Sequence, residues 1–411
     1  MRKHYAVGSA LTGAALARAG DEMSGPALLV AGPVFTGSAS TGPALLAGIT
    51  AAAAVGGPLF GVLLDRSARP GRLLAGALAG YAAALTVVLG SLGHVPVVVT
   101  LLVAVGAGLL GPALSGGWTA QMPRVAPRGL LPRVTALDAM TFNAASLAGP
   151  VLAGLVAGAA GAAAGVLVAA ALIVVAVPCA YALPGGPRRA NPRRSPTAPS
   201  VLAGLAAGFR AVRHTPPLAR ATVTSVVSCT GQGVLTACSP LLGARIFGDA
   251  RHGVLLLSVV AASALLANAG LARRPGLLRP DTVLACSTAV LAVALLMTAA
   301  AGPPALLLGA AVLVGLGEGP QLTALFAVRH REAPEHLRGQ VFTTGASLKI
   351  TGFALGAGLA GPLAARSLSG ALLTAAALQL LAGLLFLGCT LLIRRRTGTR
   401  TAYAEEDHIR R

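Results

Sequence analysis

Three charges fall within five residues of an otherwise apolar stretch: Arg18, Asp21 and Glu22 in "LARAGDEMSGPAL", Leu16 to Leu28. The flanks, Tyr5 to Ala17 and Gly25 to Val34, are almost wholly apolar, so the charges sit mid-run and cannot slide out to water. In lipid each would cost roughly 3 kcal/mol even on the lenient insertion scale, which rules out a lipid-facing arrangement. On a helix Arg18 faces Asp21 at i+3 and Glu22 at i+4, so part of the desolvation is offset locally. A net charge of −1 remains, which a proton, a cationic substrate or a partner helix can neutralise. Two readings fit: a titratable or cation-binding group on a polar path, or a salt bridge locking this helix to a neighbour.

Glu318 and Lys349 form a second group, in consecutive apolar runs. Glu318 lies eleven residues before Arg329 and Lys349 eleven after Arg338, so each is roughly 16 Å from the same basic end. Lysine occurs only at Lys3 and Lys349; every other base is arginine. An ammonium is a compact charge whose pKa moves on burial, which suits a functional pair, although a static interhelix bridge fits equally. Thr224, Ser228, Gln232 and Thr236 recur at i+4 in a third apolar run, one polar stripe. With Gln321 it could hydrogen-bond a substrate. Alternatively, the hydroxyls bond their own backbone or a neighbouring helix.

These groups need an apolar scaffold, and the composition supplies one. Of 411 residues 55% are hydrophobic and only 11% charged, less than half the charge of a typical soluble protein. Hydrophobic runs of about 20 residues divide the chain into twelve spans: 5–34, 42–64, 73–93, 95–118, 134–158, 161–183, 219–243, 253–271, 282–301, 304–327, 340–364 and 370–393. Of the 32 Lys and Arg, 27 fall on the N-terminus, alternate loops and the C-terminal tail, and three on the opposite loops. The formal net charge of +20 is therefore topological: it predicts both termini in the cytoplasm and attraction to the lipid bilayer, not a nucleic-acid partner. No Cys/His cluster or CxxC occurs among the five cysteines, so neither a metal nor a disulfide framework is expected. Arg2-Lys3-His4 followed by an apolar run and Ala15-Leu16-Ala17 imitates a signal peptide, but the run resumes after Glu22 and cleavage would leave eleven spans.

The polar interval "PGGPRRANPRRSPTAPS", Pro184 to Ser200, separates spans six and seven; an Ala/Gly/Phe stretch with Arg210 and Arg213 after it fits an amphipathic helix. At an offset near 207, "GVLLDRSARPGR" (61–72) meets "NAGLARRPGLLR" (268–279), and Gly111-Pro112 meets Gly319-Pro320. Parallel six-span repeats are a transporter plan. The expected organisation is an N-terminal bundle over 1–183, a cytoplasmic linker over 184–217, a C-terminal bundle over 218–394 and a tail over 395–411.

"GPLFGVLLDRSARPGR" (57–72) resembles the cytoplasmic signature of the major facilitator superfamily, through Gly61, Asp65, Arg66 and Arg69, with Ala68 where Gly is usual. "NAASLAGPVLAG" (143–154) resembles that family's antiporter motif through Gly149, Pro150 and Gly154. Span four carries no charge, where proton-using members often have an arginine. The resemblance implies an all-α integral membrane protein, twelve transmembrane helices in two pseudo-symmetric six-helix bundles, with spans one, four, seven and ten lining a central cavity. It implies that Asp65, Arg66 and Arg69 act as a cytoplasmic gate; Asp138 and Asn143, near the cytoplasmic half of span five, are expected to belong to the same gate by position. Gly149-Pro150 is either a hinge in span five or a packing site.

The expected function is secondary active transport by alternating access: proton-coupled export of a small lipophilic or cationic compound across the plasma (inner) membrane, by a monomer without cofactors. The nearest rival is an importer of a sugar or organic acid, whose site would be expected to carry more Asn, Gln and aromatic residues. A membrane enzyme would need convergent His, Cys or acids, yet all seven His are expected in loops or tails. No GxxxxGK[ST] phosphate loop occurs. A non-transporting receptor would need a larger cytoplasmic domain.

Overall fold

The computed structural model describes residues 2–185, 201–249 and 251–409. Twelve long helices fill them: α1 Arg2–Thr36, α2 Thr41–Arg66, α3 Pro70–Ser91, α4 Val97–Pro112, α5 Leu131–Ala160, α6 Ala162–Tyr181, α7 Pro216–Phe247, α8 Arg251–Arg273, α9 Pro280–Ala299, α10 Pro304–Glu332, α11 Arg338–Arg366 and α12 Leu368–Ile409. No strand occurs among the described residues. Ten are apolar enough to cross a membrane by length and composition. The exceptions, α1 and α7, carry the mid-run charges and the polar stripe. A helix this polar needs neighbours on most sides, and α1 has them: it packs against α5 and α6, with α2 beside it.

The outward faces are apolar. Leu102, Leu155, Leu266 and Leu384 are each at least 66% exposed, which suits lipid as solvent. Inside, small residues let backbones approach, and packing holds the helices where the hydrophobic effect cannot. One continuous core lies within residues 10–183, and two others lie within 221–386. Trp118, fully buried, donates its indole N–H to the Ala10 carbonyl at 3.0 Å and ties the end of α4 to α1. A π-helical turn, Ala113–Gly117, follows Pro112 and brings α4 against α11.

Between the halves, α2 packs on α11 and α5 on α8. Residues 186–200 of the expected linker lie outside the described residues. Its remainder forms helix Val201–His214, which touches α2, α7 and α11 and marks what is termed here the linker end. At the other end of the chain, α12 continues as helix through the expected tail as far as Ile409.

Candidate functional site

Arg18 departs from the local pairing expected of it. Its guanidinium reaches across to α5, donating from Nη1 to Asp138 Oδ1 at 2.8 Å and to the Asp138 carbonyl at 3.0 Å. Nη1 also meets the Thr141 hydroxyl, and Nη2 donates to Thr119 Oγ1 at 2.9 Å. Thr119 in turn donates to Asp138 Oδ2 at 2.8 Å, and the guanidinium lies 3.6 Å over the Phe142 ring. Both charges are buried. A carboxylate already braced by Thr119 offers more than Asp21 or Glu22 could from the same helix. Asp138, expected at the cytoplasmic gate, is Arg18's partner inside the first half.

The two acids of α1 diverge. Asp21 turns into the bundle, where its Oδ1 accepts from Tyr81 of α3 at 2.8 Å. Glu22 is exposed, with Ser146 Oγ donating to it at 3.3 Å. An exposed carboxylate at this depth must face water between the halves, because lipid would exact several kcal/mol. Gly149 permits the approach: a Cβ there would sit 2.7 Å from that of Glu22. Gly149 is thus a packing position, and Pro150 follows on an exposed face of a helix continuous over Leu131–Ala160.

In the second half, Glu318 and Lys349 are both half-buried and interact electrostatically without forming an ion pair. Cys229 of α7 lies within electrostatic reach of both. The polar stripe of α7 divides. Thr224 and Ser228 are buried, Gln232 and Thr236 only partly. Gln321 Nε2 donates to Ser228 Oγ at 3.0 Å and to Thr288 of α9 at 3.3 Å, while Gln379 of α12 donates to the Ser228 carbonyl at 2.9 Å. Gln232 joins weakly, 3.4 Å from Gln321 Oε1. The expected cavity lining of Ser228 and Gln321 is therefore an interior network that fixes α7 to α9, α10 and α12.

Two bases counted as loop residues are buried in helices. Arg220 pairs with Asp281, donates to Thr390 at 2.7 Å and lies 4.4 Å over Phe386. Asp281 also receives Arg331 at 2.9 Å, so this cluster braces the second half. Arg329, 1% exposed, has no such partner. His330, expected in a loop, lies in the last turn of α10, its ring 4.5 Å from that of Phe342.

At the linker end the halves close. Asp65 accepts the Gly339 N–H at 2.7 Å (Oδ1) and the Gln340 N–H at 2.8 Å (Oδ2), capping α11 from the other half. Arg66 and Arg69 are exposed beside it. On α2, Gly57 and Gly61 meet α11 so closely that a Cβ at Gly61 would lie 2.5 Å from the Gln340 Cα. Behind them Phe142 and Phe326 stack at 5.5 Å and Phe326 and Phe342 at 5.9 Å, an aromatic layer from α5, α10 and α11. Sequence reasoning missed this layer. Asp65→Ala is expected to lose about 1 kcal/mol of the closed state, a roughly fivefold shift in population. In a background without native cysteines, alkylation of Ala120→Cys, buried in this layer, should accelerate by that factor; an unchanged rate would contradict the latch.

Comparison with known proteins agrees with this architecture. Residues 10–349 match the family model of the Major Facilitator Superfamily. A curated relative, the multidrug efflux pump Tap of Mycolicibacterium fortuitum, is 30% identical over 176 residues; that match spans 42% of each chain. Among solved structures, the human organic anion transporter MFSD10 (TETRAN) superposes with a TM-score of 0.76 at 16% identity, covering 94% of this chain and 100% of that one. An outward-facing bacterial homologue of the iron transporter ferroportin gives 0.73 at 17% identity, covering 94% and 99%. The proton:xylose symporter XylE gives 0.71 at 12% identity, covering 92% and 94%. Two helical halves closed on each other at one end, mid-helix charges and a family match over most of the length agree: the chain belongs to the Major Facilitator Superfamily, as a multi-pass membrane transporter and not an enzyme.

Proposed function

We propose that this transporter is an exporter, driven by protons, of a small lipophilic or cationic compound. The linker end is cytoplasmic on the charge bias, which puts both termini inside the plasma membrane, and one chain suffices as the working unit. The observation that carries the reading is the pairing of a closed linker end with two mid-helix carboxylates that are not fully buried, Glu22 exposed on α1 and Glu318 half-buried on α10. Protonation of these acids neutralises them, which lowers the cost of the rearrangement that hides them; deprotonation frees a site for a cation. Asp21, hydrogen-bonded to Tyr81, is the third acid of this set. Lys349 tunes Glu318, and Asp65, the Gly57/Gly61 contact and the aromatic layer form the cytoplasmic gate. Asp138 serves by holding Arg18.

The partial likeness to a multidrug efflux pump supports export. Import of a sugar is the rival, since XylE shares the fold. The interior position of Ser228, Gln321 and Gln379 favours a lipophilic compound, because those hydrogen-bonding groups are engaged with one another. The test is growth of an efflux-deficient bacterial host over a panel of lipophilic compounds, at matched membrane levels of wild type, Asp21→Asn, Glu22→Gln and Glu318→Gln. Wild type should protect against some compounds, and Glu22→Gln and Glu318→Gln should lose at least tenfold of that protection. Equal protection by all variants would make the carboxylates struts; no protection by wild type would turn the search to uptake.

A further inference from the structure

Arg329 is the least compensated charge among the described residues. It is 1% exposed, yet Nε and Nη2 have no hydrogen-bond partner. Its guanidinium lies against Gly345 of α11, where any added Cβ would collide with it, and 5.9 Å from the Phe342 ring. Arg18 and Arg220, the other buried guanidiniums of the membrane helices, each have an aspartate. Beside Gly345 the Thr344 hydroxyl is also buried without a partner. One helical turn beyond Gly345 on the same face of α11 stands Lys349, half-buried and outside any ion pair. Glu318 interacts with Lys349, and among the described residues no acid pairs with Arg329, so Arg329, Lys349 and Glu318 together carry one more positive charge than negative.

A buried guanidinium left without a counter-charge is strongly destabilising, whereas a charged acceptor makes it favourable. No group among the described residues supplies that acceptor with the linker end closed. We propose that Arg329 and Lys349, with the Thr344 hydroxyl, bind the acidic group of the transported compound, a carboxylate, sulfonate or phosphate. This rests on the export reading and refines it: with acids on α1 in the first half and these bases in the second, the site takes an amphoteric molecule, its amine toward the acids of α1 and its anionic end toward α10 and α11. The seam between α5, α10 and α11 must part for the anion to reach Arg329, so loading belongs to the state open at the linker end. Closure then leaves the guanidinium walled in by Phe342 and Gly345, which weakens its hold and favours release on the far side.

The test titrates the purified full-length protein in detergent with two fluorescent probes that differ chiefly by one carboxylate. Lysine dansylated on its side chain has a free amine and a free carboxylate; dansylcadaverine has the same body and amine without the acid. Wild type should bind the dansyl-lysine more tightly. Arg329→Gln should weaken that binding about tenfold or more, the scale of a lost hydrogen bond to a charged group, and leave dansylcadaverine unchanged. Arg329→Lys, which keeps the charge, should recover part of the loss, and unchanged dansylcadaverine binding reports that each variant is folded. Equal losses for both probes, or no preference for the acid in wild type, would overturn the acidic-group site while leaving the export reading intact. Binding of neither probe would contradict the cavity for lipophilic ions itself, and this inference with it.

Discussion

Replacing Asp138 with alanine is expected to cost about 3–5 kcal/mol of stability, the range for removing one partner of a buried pair. The loss comes less from the missing attraction than from what stays behind. Arg18 would keep its charge under full burial, with hydrogen bonds only to Thr119, Thr141 and the backbone carbonyl of residue 138, and the Phe142 ring beneath it. Thr119 would lose its acceptor as well. The double variant Arg18→Met, Asp138→Leu should recover most of the stability, because two apolar chains of similar volume replace the pair without stranding a charge. Thermal denaturation of the purified protein, followed by size-exclusion chromatography after heating, measures both. A single variant as stable as wild type would show that water reaches Arg18 and that the pair is not the strut described.

Leucine at Gly61 should abolish transport while leaving the protein folded. α2 and α11 meet there with no room for a side chain, and besides the Thr343 hydroxyl the obstructing atoms are the backbone of Gln340, which cannot swing aside as a side-chain tip would. Overpacking of this kind costs typically 1–3 kcal/mol, charged here only to the state in which the linker end is closed. The gap should therefore stay open at the linker end, and Ala120→Cys in a cysteine-free background should be alkylated from that side at least tenfold faster. Gly76→Leu on α3 is the control, since nothing lies within 4 Å of a Cβ at that position. If Gly61→Leu transports normally, the α2–α11 contact is not part of the cycle.

The spans were legible because hydropathy over twenty residues is a strong signal, and even α1 and α7, the two most interrupted by polar residues, stood out as mostly apolar runs. The mid-run acids were legible for the same reason: a carboxylate in an apolar run stands out. Their partners were not. Arg18 satisfies i+3 and i+4 spacing to two acids, yet an arginine spans the gap between helices, and Asp138 is 120 residues away. The i+4 stripe of α7 identified a real helix face, but a stripe cannot say which neighbour it meets, and Ser228 meets Gln321 inside the half. Arg329 and His330 misled because bases near the end of an apolar run read as interfacial, although Phe326 and Val328 beside them are core residues. Phe142, Phe326 and Phe342 left no local trace, since a layer drawn from three helices has no spacing in sequence.

On the proposed mechanism, proton flow through Glu22 and Glu318 drives a lipophilic cation from the linker end to the opposite side of the membrane. Everted membrane vesicles with an acid interior, supplied with dansylcadaverine outside, test it most directly, because the cytoplasmic face is then exposed to the probe. Wild type should accumulate the probe until a protonophore removes the gradient, and Glu22→Gln or Glu318→Gln should accumulate none above background. Accumulation that persists without the gradient, or that the two variants match, would contradict it.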